Sequence, residues 1–253
     1  MKDVAFWIST ENYHEEAARS AVDLATHMPN VARVLFSPDQ YRGSEFTHSV
    51  LLPPEMGPYW YMDSIKYFNI AFDALGGFDR LMYLDSDVNV IAPIPELFDM
   101  LPRFDVVGVM GSRRITGAVH GDLPQAFPEF EIGVTLFRTN ERVKRLFEKW
   151  LELHKSHPDI YGNNDQRSFR EALWLCEDLK IGTVPCEYGL RWPFGVFMSL
   201  PVKVLHGRPL GPAYPDSPTL DDVKRIVNEH YDMRIWSPRS DRWRDGVIPP
   251  DYD

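Results

Sequence analysis

The sequence predicts an α/β protein with a doubly wound central sheet, and two observations lead there. The chain opens strand–helix–strand. Val4-Ala5-Phe6-Trp7-Ile8 is a continuous apolar run, residues 13–27 carry apolar side chains at helical spacing, and Val31-Ala32-Arg33-Val34-Leu35-Phe36 is a second strand. A later apolar run, Leu81-Met82-Tyr83-Leu84, ends in Asp85-Ser86-Asp87 and is followed by a second apolar stretch, 88–91. Two carboxylates at the C-terminal end of a buried strand lie where open α/β sheets bind ligands. They repel each other, so they need a cation between them or must share a proton. A hard divalent ion meets that need and commonly brings phosphate with it. The triplet alone is a weak signal. About two Asp-x-Asp triplets are expected by chance in so Asp-rich a chain, and Asp251-Tyr252-Asp253 reads as a solvated tail.

The elements follow in order. The first helix carries Ala17, Ala18, Ala21, Val22, Leu24 and Ala25 at helical spacing, with Glu15 and Glu16 in its first turn, at the positive end of the helix dipole. No Gly-x-Gly-x-x-Gly follows the first strand, which argues against a dinucleotide site. Residues 37–58 are polar and Pro-rich and read as a long loop. A helix is expected over 59–75, with Ile65, Phe68, Ile70, Ala71, Phe72 and Leu75 apolar, and Gly76-Gly77 ends it. Lys66 within it is a surface lysine or a ligand contact. A short helix starting at Pro93–Pro95 and a strand over 105–110 come next. Residues 111–129, with Arg113, Arg114 and His120, read as an irregular and potentially functional loop. The strand 130–138 contains Gly133, and a strand glycine marks close approach of a ligand or of another backbone. Asn140 caps a helix over 141–154 that buries Val143, Leu146, Phe147, Trp150 and Leu151. The turn 162–166 opens another helix ending near Leu175, where Asp165-Gln166 either caps the helix or meets a ligand. Strands are expected at 181–184 and 202–205, the second ending in His206-Gly207-Arg208-Pro209, and a last helix at 220–229. Trp192, Phe194 and Phe197 are either core or a stacking platform. In the tail, Trp236, Trp243 and Tyr252 are read as folding back on the domain, and Arg234, Arg239, Arg242 and Arg244 as a secondary candidate for docking an acceptor.

With 253 residues the chain holds one large α/β domain, here divided as 1–215 and a C-terminal helix and tail, 216–253, packed on it. A net charge of −10 and the lack of a basic stripe argue against nucleic acid as a partner. No apolar run reaches the roughly 20 residues of a spanning helix, and no signal peptide is apparent. Cys176 and Cys186 form no disulfide framework or zinc pattern, so reduced thiols and a cytoplasmic location are expected.

Several short stretches together resemble the metal-dependent glycosyltransferases of the GT-A fold, most closely the glycogenin-like glycosyltransferase family 8. They are Trp7-Ile8-Ser9-Thr10-Glu11-Asn12-Tyr13, Lys66, Tyr83-Leu84-Asp85-Ser86-Asp87-Val88 and Pro95-Glu96-Leu97-Phe98, then Glu131-Ile132-Gly133-Val134, Asn164-Asp165-Gln166 and Val204-Leu205-His206-Gly207. The resemblance covers residues 3–209 and rests on the order of these pieces. It implies a Rossmann-like domain with a mixed, mostly parallel sheet flanked by helices. It implies transfer of a hexose from a UDP-sugar to a hydroxyl of a carbohydrate or glycoconjugate, with retention of configuration.

The implied roles are these. Asp85, Asp87 and His206 hold Mn²⁺ or Mg²⁺, although His206 also has a purely structural reading. Lys66, Ser86, Gly207 and Arg208 meet the donor phosphates, with Gly207 admitting backbone N–H groups. Thr10, Asn12 and Tyr13 lie at the nucleotide, Tyr13 as a base stack or a helix-start staple. Asp165 and Gln166 hold the reacting sugar, next to Asn164, Glu131 and Gly133. Glu131 stands where the family often has Asn, and Arg208-Pro209-Leu210 replaces its Lys-Pro-Trp. Three alternatives stay open. One is an inverting transferase with Glu131 as base. Another is a phosphatase of the haloacid-dehalogenase type using Asp85 and Asp87, against which the acidic pair on offer, Asp221-Asp222, falls inside an expected surface helix. The third is a non-catalytic binding module of the same fold.

Overall fold

The computed structural model describes residues 1–53, 60–111, 123–162, 164–209, 218–229 and 233–237, with the side chains of 60–63 left aside. The sequence readings on Arg113, Arg114, His120, Asn163, Leu210, Arg239, Arg242, Trp243, Arg244 and the Asp251–Asp253 triplet lie outside these residues.

In chain order the elements are β1 (Asp3–Ile8), α1 (His14–His27), β2 (Ala32–Ser37), β3 (His48–Leu51), α2 (Trp60–Ala74), β4 (Arg80–Leu84), β5 (Val88–Val90), α3 (Pro95–Met100) and β6 (Val106–Met110). Then come β7 (Phe130–Arg138), α4 (Glu141–Ser156), α5 (Pro158–Tyr161), α6 (Asp165–Leu175), β8 (Ile181–Val184), β9 (Leu190–Arg191), β10 (Val196–Met198), β11 (Val204–His206), α7 (Leu220–Ile226) and β12 (Arg234–Trp236). A 3-10 turn, Glu11–Tyr13, leads into α1.

Seven strands form the main sheet in the order β3-β2-β1-β4-β7-β6-β8. All neighbours are parallel except β7, which runs antiparallel to both β4 and β6. The expected mixed, mostly parallel sheet is therefore present. Its strands read as unbroken apolar runs because both faces are covered. On β1, Val4, Phe6 and Ile8 join one buried cluster with α2, α4 and α6, whereas Ala5 and Trp7 join the other with α1 and α3. On β4, Leu81 and Tyr83 face the first cluster, Met82 and Leu84 the second. Burying an aromatic such as Phe6 or Phe68 contributes about 2–3 kcal/mol.

The helices follow their expected caps. Asn140 accepts from Val143 N–H, at the start of α4. Thr219 and Asp222 form a reciprocal capping box on α7. Val22 and Ile70, read as part of the apolar helical patterns, are exposed. Residues 37–58 are not all loop, because β3 lies among them. It is an edge strand pairing with β2 alone, and three of its four residues are exposed, so it leaves no apolar pattern to read.

A second, smaller sheet runs β5-β11-β9, and β10 pairs with β12. Leu190, Trp192, Leu205, Val223 and Trp236 form its own small core. Trp236 folds back as expected, and Arg234 is buried beside it with its guanidinium donating to Leu200 O. The two cysteines are free thiols. Among the described residues no helix is long and apolar enough to cross a membrane.

Candidate active site

β4 belongs to the large sheet and β5 to the small one. Only Asp85-Ser86-Asp87 separates them, so these three residues are the crossing between two sheets. Asp85 N–H donates to Gly133 O at 3.0 Å, and Val88 N–H returns to Asp85 O at 3.1 Å, which makes the crossing tight. β11 lies antiparallel to β5 with His206 opposite Val88, which sets the imidazole beside the carboxylates.

His206 Nε2 is 3.3 Å from Asp85 Oδ2 and 3.5 Å from Asp87 Oδ1. One ligand atom from each of the three residues fits within 4.8 Å of the others. Donors about 3 Å apart suit a divalent cation with bonds of about 2.1 Å at right angles. The backbone below is cleared for this cluster. A Cβ at Gly133 would lie 2.3 Å from His206 Cε1 and 2.5 Å from Asp85 Oδ2. The strand glycine thus makes room for the ligand side chains themselves, a reason for its presence that the sequence reading did not include.

The surroundings tune these groups. Tyr83 Oη donates to Asp85 Oδ1 at 2.7 Å. Burial works against the charge on Asp87, but His206, Arg208 and Arg191 outweigh it and hold its carboxyl well below the usual range. Burial and Arg191 push the His206 pKa down, and hydrogen bonding with Asp85 and Asp87 more than restores it. Burial, then the Asp85 charge, push the Asp165 carboxyl up to about 7.

The cluster opens into a cavity of about 780 Å³, within the range of about 300–1,000 Å³ usual for ligand sites. Thr10, Asn12, Tyr13, Asp165, Arg191 and Arg208 are among the residues that line it. Arg208 lies with its guanidinium 5.0 Å over the Tyr13 ring, pairs with Asp87 Oδ2 at 3.1 Å and forks onto Glu16. Ser86 Oγ donates to Ser9 Oγ, at the same rim.

Other expected site residues stand elsewhere. Asn164, expected at the sugar, is the cap of α6, its side-chain oxygen accepting from Arg167 N–H at 3.2 Å. Asp165 is therefore not the cap and presents to the cavity. Gln166 is buried outside the cavity lining, and among the described residues its Nε2 has no hydrogen-bond partner. Lys66 is half-buried on α2, and the same helix sends Ser64 and Phe68 rather than Lys66 to the cavity wall. Glu131 is buried and paired with Arg191 at 3.0 Å. Gly207 has φ +121°, a conformation that favours glycine, and its N–H donates to Asp87 O, so that donor is already engaged. Of the aromatic trio, Trp192 is core, whereas Phe194 and Phe197 are exposed.

The sequence reading missed Tyr83 and Arg191. Tyr83 was accessible, since residues two apart on a strand share a face and Asp85 lies two beyond it. Arg191 carried no signal, because a two-residue strand brings it to His206.

No family model matches the chain, and no curated protein matches it. Solved structures do. The galactosyltransferase LgtC, in complex with donor and acceptor sugar analogs, superposes with a TM-score of 0.57 at 16% identity, over 83% of this chain and 88% of that one. An active-site mutant of LgtC gives 0.58 at 15% identity, with the same coverage. The glycosyltransferase GlyE of Streptococcus pneumoniae TIGR4 gives 0.60 at 13% identity over 91% of this chain, which spans only 61% of GlyE. At such identities the fold is what is shared, and it is the GT-A glycosyltransferase fold.

Proposed function

We propose that this chain is a metal-dependent glycosyltransferase that moves a hexosyl unit from a UDP-sugar to a hydroxyl of a carbohydrate or glycoconjugate, with retention of configuration. The observation that carries the reading is the meeting of Asp85, Asp87 and His206, with both carboxylates lining the cavity that Thr10, Asn12 and Tyr13 also line. Mn²⁺ or Mg²⁺ held by the three residues would supply Lewis-acid neutralisation of the diphosphate charge.

This chain's own residues do the rest. The loop from Thr10 to Tyr13 receives the nucleoside, and the rim guanidinium of Arg208 faces the phosphates. The acceptor oxygen attacks the anomeric carbon as the bond from that carbon to the phosphate oxygen breaks. The acceptor proton passes to the departing diphosphate oxygen, so no protein base is needed. Asp165 faces the anomeric carbon and stabilises the positive charge developing there. Neutralising Asp85 removes one of the two causes of the raised Asp165 pKa, so the carboxylate form is favoured when the site is loaded. Support for retention over inversion comes from Glu131. As the suspected base of an inverting reaction it would need to reach the acceptor, but it is buried against Arg191. Asp222, on offer to the phosphatase alternative, is engaged in the cap of α7.

The test is donor hydrolysis across a panel of nucleotide sugars, with and without Mn²⁺, in the wild type and Asp87→Ala. UDP-galactose is the first donor to try, given the likeness to a galactosyltransferase. We expect slow Mn²⁺-dependent release of UDP from one sugar, lost in the variant. A protein that hydrolyses no donor and binds no UDP in the presence of Mn²⁺ would refute the reading. An inverted anomer in the product would refute retention alone.

A further inference from the structure

Arg191 lies where a cation would have to go. It is the last residue of β9, whose Leu190 is fully buried in the small core, so strand alternation turns Arg191 towards the cavity. Its Nε donates to the buried carboxylate of Glu131 at 3.0 Å, and its far nitrogen, NH1, stands 3.0 Å from His206 Nε2. A guanidinium has donors only and keeps its proton throughout the working pH range. The form of His206 that can bind a metal ion is the one whose Nε2 carries a lone pair, and in that form Nε2 accepts from Arg191. That nitrogen is also the one that Asp85 and Asp87 approach, at 3.3 and 3.5 Å. One lone pair cannot serve both a guanidinium and a metal ion. The two are also of like charge, and a cation centred among the three ligands would stand within a few ångström of NH1.

The two contacts are made by different atoms of one side chain, Nε on Glu131 and NH1 on His206. The guanidinium is a rigid plane that includes Nε, so it leaves His206 as a whole, by rotation about the aliphatic stem. Arg191 is only partly buried, with a side-chain exposure of 21%, and the space beside it is the cavity shared with Arg208. A planar fork in such a cavity suits a phosphate, which it can meet bidentately.

We infer that Arg191 is the resident cation of the ligand-free site, holding the His206 lone pair, and that it transfers to the donor's diphosphate when metal ion and donor bind together. The inference rests on the reading of the cavity as a nucleotide-diphosphate site. Metal ion alone has to expel a positive charge that has no new partner, so it binds weakly. Metal ion with diphosphate gives that charge an anion, so the pair binds tightly. Coupling of this kind is reciprocal, and each ligand raises the affinity for the other by the same factor.

The experiment is a Mn²⁺ titration, read by the paramagnetic resonance signal of free Mn²⁺, on the wild type, Arg191→Gln and Arg191→Lys. Each is measured with no nucleotide, with uridine and with UDP. Removing the charge in Arg191→Gln is expected to tighten binding of Mn²⁺ alone by about tenfold, since like charges a few ångström apart in a partly buried site repel at least that strongly. UDP is expected to improve Mn²⁺ binding by a smaller factor in this variant than in the wild type, and uridine to improve it in neither. Arg191→Lys keeps a charge for Glu131 but has a single nitrogen, which cannot bridge Glu131 and His206 at once, and should fall between. If leaving Glu131 unpaired prevents Arg191→Gln from folding, the double variant with Glu131→Gln gives the same comparison. A merely structural arginine predicts the opposite sign, with Mn²⁺ alone binding more weakly after substitution. That result, or an unchanged affinity with an unchanged UDP factor, overturns the inference and leaves the proposed reaction standing. Failure of the wild type to bind Mn²⁺ even with UDP overturns the metal site itself, and this inference with it.

Discussion

The large sheet is made of strands of four to nine residues, and apart from the edge strand β3 they are largely buried. The small sheet beside it is made of strands of three, three and two residues. Strands that short cannot register themselves by pattern, so side chains hold them in place. Trp192 Nε1 donates to Gly207 O, Trp236 Nε1 to Trp192 O, and Asn228 bonds Val202 through both its amide groups. The candidate metal ligands are divided between the two regions. Asp85 closes a strand of the first, His206 a strand of the second, and Asp87 stands at the crossing. The comparison teaches that half of the site is rigid by burial and half by a few hydrogen bonds, so the two halves should fail differently.

The sharpest challenge to this division is Gly133→Ala, on the rigid side. The new methyl must displace Asp85 and His206 together, because both lie under 3.0 Å from it. Mn²⁺ affinity, measured by calorimetry, is expected to fall at least about 100-fold, the upper end for disturbing the support of a ligand. The melting temperature should stay near that of the wild type, because the strand keeps its ladder. Retained Mn²⁺ affinity would mean that the ligand tips are free to yield, and the rigid half would not be rigid.

A smaller effect, of different character, is expected from Trp192→Phe in the soft half. It removes one donor from Gly207 O at a cost of about 1–2 kcal/mol. Thermal unfolding should begin earlier, and Mn²⁺ affinity should drop several-fold because the His206-Gly207 turn loosens. Equal metal affinity with lower stability would separate the small core from the site and break the comparison from the other side.

The gentlest test concerns pH and Asp165. Its folded pKa, pushed up to about 7, lies above its unfolded value. The associated stability is therefore fully present below the unfolded pKa and lost as pH rises through about 7. Asp165→Asn does not titrate, so its melting temperature relative to the wild type should rise between pH 4 and pH 8 in the absence of metal ion. Added Mn²⁺ should shrink that difference by neutralising Asp85. A difference independent of pH would show that Asp165 is not held buried beside Asp85 in solution.

Much of the fold was readable because burial on both faces leaves long apolar runs, as in β1, β4 and β7, and because Asn140 and Gly76-Gly77 punctuate their helices locally. β3, β9, β10 and β12 were not readable. They are edge or very short strands whose hydrogen bonds come from distant neighbours, and no local period records them. The same division holds within the site. Asp85 and Asp87 stood out as a local pattern at a strand end. Asn164 and Asp165 are adjacent in sequence and equally polar, and only the helix geometry assigned the cap to one and the cavity to the other.

By itself, then, the sequence determined the wound sheet, its two buried faces and the position of the acidic crossing, because each is encoded by neighbours within a few residues. Tertiary structure alone decided that Gly133 clears the floor beneath Asp85 and His206, that Glu131 is buried against Arg191, and that Arg191 meets His206. Those contacts join residues 15 to 73 positions apart through strand pairing and packing, and the energy that selects them exists only once the two sheets have met.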